Sequence, residues 1–367
     1  MSLLDQLAIK STAKPAEKKP APEAKKAEAS KPKSSGSPPP AGDPPEKPAT
    51  LPREIMIDKP GFYPEITSRQ YFAEPCPEPA LTNSGIKTLM GKTPADFAYE
   101  HPAITPDSPE AASTAAQRLG DVSHQLSLDK GRGYAIGEYS AWQSGDAKAF
   151  KAAAESAGLT PVKRAEYDKA AIMAEIMKVK IRHALKLIGA AGGLIEPEGG
   201  WPYQTEAVAA WQEDTPSGPI WCRMMMDVWC EPLWTVIDPK FSKQLHGDIL
   251  ARQMANMGWD QQAAFYGRGI ENLIPAARGK VTFVNILVSP DAPHVSRIVK
   301  IEEAWRYSSQ LDIEAATKTF AAHLKAGVWP AYPDGIETLS APEWLIKQRM
   351  GKHEFGDDPW FGGDSNE

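Results

Sequence analysis

A chain of 367 residues, 42% of them hydrophobic, is long enough to bury one large core or two ordinary ones. Its net charge of -6 excludes a uniformly basic nucleic-acid coat, though not an enzyme that confines positive charge to a groove. Three cysteines, Cys76, Cys222 and Cys230, are too few for a disulfide framework or a four-cysteine metal site, no run nears the roughly 18 apolar residues of a membrane span, and MSLLDQLAIK lacks a secretory signal's basic and apolar regions; no membrane association and a cytoplasmic location are expected.

From Ser11 to about Pro52 the chain is Lys, Pro, Ala, Glu and Ser with almost no large apolar residue, so it cannot bury enough surface to offset ordering. Residues 1–54 are therefore expected to form a disordered tail, 55–347 a folded domain and 348–367 an acidic flexible tail. Leu3, Leu4, Leu7 and Ile9 suit either a docking helix or a frayed end. Thr82, Asn83 or Ser84 caps a predicted helix through Met90, with Ile86, Leu89 and Met90 on its buried side; Thr93-Pro94 opens another through Tyr99. A helix from Ala111 to Leu128 places His124 near the apolar positions Leu119, Val122 and Leu126, where a histidine is either a satisfied core residue or a ligand. Lys148 to Gly192 reads as two long helices broken near Gly158 to Pro161. In WPYQTEAVAAWQ, Glu206 interrupts an apolar run and needs a partner or a metal, unless the strand is an exposed edge.

The run from Trp221 to Lys243, WCRMMMDVWCEPLWTVIDPKFSK, reads as two apolar strands joined at Glu231-Pro232. A hairpin brings Asp227, at the end of the first run, beside Asp238, at the end of the second; strand alternation points Asp238 and Lys240 to one face. Carboxylates held together repel unless a cation lies between them, and hard divalent metals take such oxygen ligands. A surface hairpin with solvated charges is the competing reading. Beyond it, Leu245 to Leu273 is predicted as one helix in which Gln262 and Tyr266 share a face, suited to gripping a phosphate or orienting a ligand, or to plain core packing. Lys280 to Ser289 reads as a buried strand, His294 to Ile301 as its partner, and Glu302 to Ala326 as a helix.

In this order the pieces LTNSGIKTLMGKTPADF, LGDVSHQL, WPYQTEAVAAW, Asp227, Asp238-Pro239-Lys240, QQAAFY and the end containing Trp329, Tyr332, Pro342 and Trp344 resemble the PD-(D/E)XK nucleases, specifically the RecE-like exodeoxyribonuclease VIII branch of phages and prophages. The resemblance spans roughly residues 60–345. It implies an α/β fold with a central mixed sheet flanked by helices. It also implies that Asp227, Asp238 and the Pro239 carbonyl bind Mg²⁺ or Mn²⁺, as two ions, and that His124 and Glu206 complete or support these sites. Lys240 would act on the attacking water and the phosphate, and Gln262, Tyr266, Arg223 and Ser242 would position the strand. The activity implied is hydrolysis of linear double-stranded DNA, 5′ to 3′, in recombination or repair, by a ring-shaped homo-oligomer acting at DNA ends with a RecT-like single-strand annealing protein in a bacterial or phage-infected cell. Two departures stand out: Pro239 replaces an aliphatic residue between acid and lysine, and the lead-in to Asp227 is Arg223 followed by three methionines. An endonuclease of the same superfamily and a DNA-binding or assembly module without catalysis are the alternatives.

Overall fold

The computed structural model describes residues 54–107 and 113–350. The expected tails, apart from the stretch next to the domain, lie outside the described residues, as does the start of the helix predicted from Ala111. The first described elements are β1 (Gly61–Tyr63), α1 (Ser68–Phe72), β2 (Ala80–Leu81), α2 (Asn83–Gly91), α3 (Pro94–Glu100) and α4 (Ala115–Leu128). Thr82, Thr93 and Thr114 cap α2, α3 and α4, each accepting from a backbone N–H of the first turn. In α2, Ile86 is buried and Leu89 packs on the core, but Met90 faces outward at 45% exposure.

Then follow β3 (Tyr134–Gly137), α5 (Gly145–Ser156), β4 (Thr160–Lys163) and α6 (Arg164–Ala191). The predicted break between two helices is thus a short strand, Thr160–Lys163, paired parallel to Tyr134–Gly137. Along α6, Met173, Met177, Ile181 and Leu185 recur at helical spacing and are buried, while Ile172, Val179 and Leu187 remain exposed.

The central elements are β5 (Gln204–Glu213), β6 (Ile220–Cys230), β7 (Thr235–Phe241), α7 (Gly247–Met257), α8 (Trp259–Leu273), β8 (Thr282–Val288), β9 (Ser296–Lys300), α9 (Glu303–Ala326) and α10 (Glu343–Met350). The predicted hairpin is present, with a 3₁₀ turn over Glu231–Leu233 and Trp234 in the left-handed region, so β7 starts at Thr235. The single helix predicted from Leu245 is two helices, because Gly258 adopts φ 64 and stops α7 with a left-handed cap. The final helix α10 runs past the expected domain boundary at 347.

Among the described residues the fold is α/β, with a seven-stranded mixed sheet in the order β1-β5-β6-β7-β8-β9 and β2 alongside β6. The β7–β8 and β2–β6 pairs are parallel and the others antiparallel. One face packs under α2, α3, α7, α8 and α9, with Trp211, Met224, Met226, Val236, Phe283 and Leu287 against residues such as Ile86, Phe97, Phe265 and Phe320. The other packs under α6, with Val228, Ile237, Val284, Ile286 and Val288 against Met173, Met177 and Ile181. The segment around β1 and α1 covers the remaining part through Tyr63, Ile66 and Tyr71. Trp329 stacks on Phe97, and Ala95 N–H donates to the Pro330 carbonyl at 3.1 Å, which anchors the chain after α9. Among the described residues no helix is long and apolar enough to cross a membrane.

Candidate active site

Two carboxylates meet where β6 and β7 part. Their antiparallel ladder runs only from Cys230↔Thr235 to Val228↔Ile237, and the next register position sets Asp227 opposite Asp238. Side-chain alternation along β6 also breaks there: Met224 and Met226 pack under α8, whereas Val228 and Cys230 pack under α6. On the other side of β6, Thr205↔Val228 and Ala207↔Met226 flank a position where Glu206, at φ 49, faces Asp227 without forming a regular pair. Asp227 therefore stands where the strand turns over, and its side chain meets groups from both faces of the sheet.

From α4, His124 Nε2 lies 3.1 Å from Asp227 Oδ1. Across the fork, Asp238 is 1% exposed and ringed by donors. Gln262 Nε2 donates to its Oδ1 at 2.8 Å, Asn285 Nδ2 donates to Oδ2 at 2.8 Å, and Lys240 Nζ lies 2.6 Å from Oδ2. Gln262 also receives Lys240 on its Oε1 at 3.4 Å, and the Lys240 ammonium sits 5.6 Å from the centre of the Trp259 ring. Alternation places Asp238 and Lys240 on one face as expected, and the register Asp238↔Asn285 brings the amide from the neighbouring parallel strand.

These contacts separate the two acids chemically. Burial pushes Asp238 up to about 6, with Lys240 pulling it down and the Asp227 charge and hydrogen bond pushing it up. Burial also opposes ionisation of Asp227, but His124 and Lys240 outweigh it and hold this carboxyl below the usual range. His124 is the counterpart: burial resists its charging, yet Asp227 raises its pKa above the usual imidazole value. The two carboxyls titrate as a coupled pair, with Asp238 the harder of the two to ionise and Asp227 held as the partner of His124.

Pro239 fits this fork. Thr282 N–H donates to the Trp234 carbonyl and Ser242 N–H donates to the Val288 carbonyl, so even-numbered residues of β7 turn their backbone toward β8. Odd-numbered residues turn toward β6, which has already left the ladder. A proline there forfeits no sheet hydrogen bond, and its carbonyl faces the opening beside Asp227.

The remaining expected site residues are placed differently. Tyr266 does share the inward face of α8 with Gln262, but it is buried and its hydroxyl donates to the Met225 carbonyl at 3.0 Å; it ties α8 to β6 rather than facing outward. The left-handed backbone turns Glu206 toward α1, where its buried Oε2 accepts from Ser68 Oγ at 2.7 Å. Arg223, expected on DNA, is instead 4% exposed and spent internally: it binds Glu74 through Nε and Nη2, donates from Nη1 to the Tyr71 carbonyl at 2.6 Å and lies 4.3 Å over the Tyr71 ring. Ser242 is likewise buried, donating to Gln253 Oε1 at 2.8 Å and accepting from Gln244 N–H at 3.0 Å. Sequence reasoning missed three neighbours. Asn285 was detectable as the one amide in the apolar run VTFVNILVS, since a polar side chain inside a buried strand needs a partner. Trp259 had no such signal. Lys87 lies close enough for Lys240 to depress its pKa, after burial, and its ammonium donates to the Met257 carbonyl at 2.8 Å.

Among the described residues no three His, Cys, Asp or Glu side chains form a ready metal cage. Two facing carboxylates and a carbonyl turned toward them nevertheless suit Mg²⁺ or Mn²⁺, ions that keep several waters and take only one or two protein carboxylates, leaving positions for substrate phosphate.

No family model matches the chain, and no curated protein matches it. Among solved structures it is similar to a putative exonuclease from Eubacterium rectale, with 13% sequence identity, 78% of this chain and 99% of that chain covered, and a TM-score of 0.46.

Proposed function

We propose that this protein is a metal-dependent nuclease that hydrolyses phosphodiester bonds, acting on linear double-stranded DNA as an exonuclease. The observation that carries the reading is the convergence of Asp227, Asp238 and Lys240 at the mouth of the β6–β7 fork, two acids and an ammonium with a buried amide shell. Asp227, Asp238 and the Pro239 carbonyl would hold Mg²⁺ or Mn²⁺, which supplies a polarised phosphate and an acidified water. The chain's own groups do the rest. His124 keeps Asp227 ionised and oriented. Gln262 fixes one oxygen of Asp238 and the approach of Lys240 together. Lys240, partly exposed and backed by Trp259, would neutralise negative charge that develops on the phosphate during attack. The 5′ to 3′ direction, a ring-shaped assembly and an annealing partner accompany this proposal on the strength of the sequence resemblance.

The test is digestion of end-labelled linear duplex DNA and covalently closed circular DNA with Mg²⁺, for the wild type and Asp227→Ala. Loss of the linear substrate alone, abolished by EDTA and by the substitution, is the expected result. Cutting of the circle would make the enzyme an endonuclease, and DNA binding without cleavage would make it a non-catalytic module.

A further inference from the structure

Asn285 is fully buried in the middle of β8, an otherwise apolar strand. Its Nδ2 donates to Asp238 Oδ2 at 2.8 Å, while its Oδ1 is buried and has no hydrogen-bond partner among the described residues. An unpaired buried carbonyl oxygen carries a desolvation penalty that an apolar residue at this position would not incur. The amide is therefore held for what its N–H group does. On the opposite side Gln262 Nε2 takes Asp238 Oδ1, so one neutral amide from β8 and one from α8 pin the two carboxylate oxygens separately. The remaining neighbour, the Lys240 ammonium on a partly exposed stem, is the displaceable one.

We infer that Asn285 is a positioning residue that, with Gln262, fixes Asp238 for binding a cation through a single oxygen and so disfavours large ions that chelate a carboxylate through both. The inference rests on the metal-dependent reading of the site. A carboxylate with an amide on each oxygen offers one free direction toward Asp227; releasing Oδ2 would let it turn and chelate. Small octahedral ions accept the first arrangement, whereas Ca²⁺ readily takes bidentate carboxylates.

The experiment is Mn²⁺ binding by electron paramagnetic resonance, with Ca²⁺ as competitor, on the full chain without DNA. Wild type is compared with Asn285→Leu and with Asn285→Ser, the latter keeping the fold should the larger change disturb it; thermal unfolding verifies folding. Mn²⁺ affinity is expected to fall about tenfold or more, as for other groups that orient metal ligands, while Ca²⁺ affinity stays level or rises. Mn²⁺ affinity within twofold of wild type, or equal weakening for both ions, would overturn the inference, the second result indicating a structural role only. Wild-type protein that binds no Mn²⁺ would overturn the metal reading of the site, and this inference with it.

Discussion

Asp238 is a carboxyl that the fold makes difficult to ionise. Its folded pKa of about 6 lies above the ordinary 3.8, so its contribution to stability is full below that ordinary value and is lost as pH rises through 6. His124, whose pKa is also raised, adds stability that declines on the same alkaline side. In EDTA the protein should therefore lose stability as pH rises from about 4 through 6, with a further decline above 6.5 as His124 loses its proton. Asp238→Asn removes the Asp238 part of that slope: the new amide stays neutral and finds an acceptor in the unpaired Oδ1 of Asn285 once that side chain flips. At pH 8 the variant should be more stable than wild type by about 1–3 kcal/mol, the difference vanishing below about pH 4, and Mg²⁺ should raise the melting temperature of wild type only. Thermal unfolding at the two pH values with and without Mg²⁺ measures all of this. At this scale the acids, Lys240 and Gln262 were readable because strand alternation and helical spacing are local rules. Glu206, Arg223 and Ser242 were not, because a side chain's use depends on its partner: Ser68 is 138 positions from Glu206 and Glu74 is 149 from Arg223.

The helix α8 positions the site through its N-terminal end and its inward face. It starts directly after Gly258, whose left-handed φ of 64 redirects the chain one turn before Gln262. A Cβ on Gly258 would be strained by that φ and would approach the Lys87 side chain at 3.3 Å. Gly258→Ala should cost about 1–2 kcal/mol and, by displacing Gln262, lower turnover as well. Gly279, at φ 69 with nothing near its Cβ, is the control: Gly279→Ala should cost stability without affecting turnover. Unfolding midpoints and kcat measured in parallel separate the two. Farther along α8, Tyr266→Phe deletes the bond to the Met225 carbonyl, and a loss of about 1 kcal/mol in denaturant unfolding is expected. Long amphipathic elements were legible from periodicity, and α9 was read within one residue of its bounds. The β3–β4 pair was not, since a four-residue strand between two helices presents too short a pattern to stand apart from a turn.

Across the whole molecule, the sheet is completed by a segment that precedes it in sequence. Residues around β1 and α1 cover Val208, Ala210 and Trp221, and a buried charge network locks them there. Arg223 of β6 pairs with Glu74 at 2.8 Å, and His101 Nε2 reaches Glu74 at 3.2 Å. Alternating and apolar runs made a mixed sheet legible, but not which preceding segment would cover it, because these contacts join distant parts of the chain. Burial opposes the charge on Glu74, but Arg223 and His101 outweigh it and lower its pKa, so this stabilisation is present above the ordinary carboxylate range and fails only as pH drops through the lowered value. Glu74→Gln should destabilise the protein by about 3–5 kcal/mol, because it leaves the Arg223 guanidinium buried without its counter-charge. Adding Arg223→Met should recover much of that loss, since the amide and thioether then share an uncharged interior. Both differences should be nearly the same in dilute and molar salt, as water and ions do not reach the pair. Denaturant unfolding of the single and double variants at two salt concentrations decides it: a small or strongly salt-dependent loss would mean the network is solvated, and the segment would then be held to the sheet by apolar packing alone.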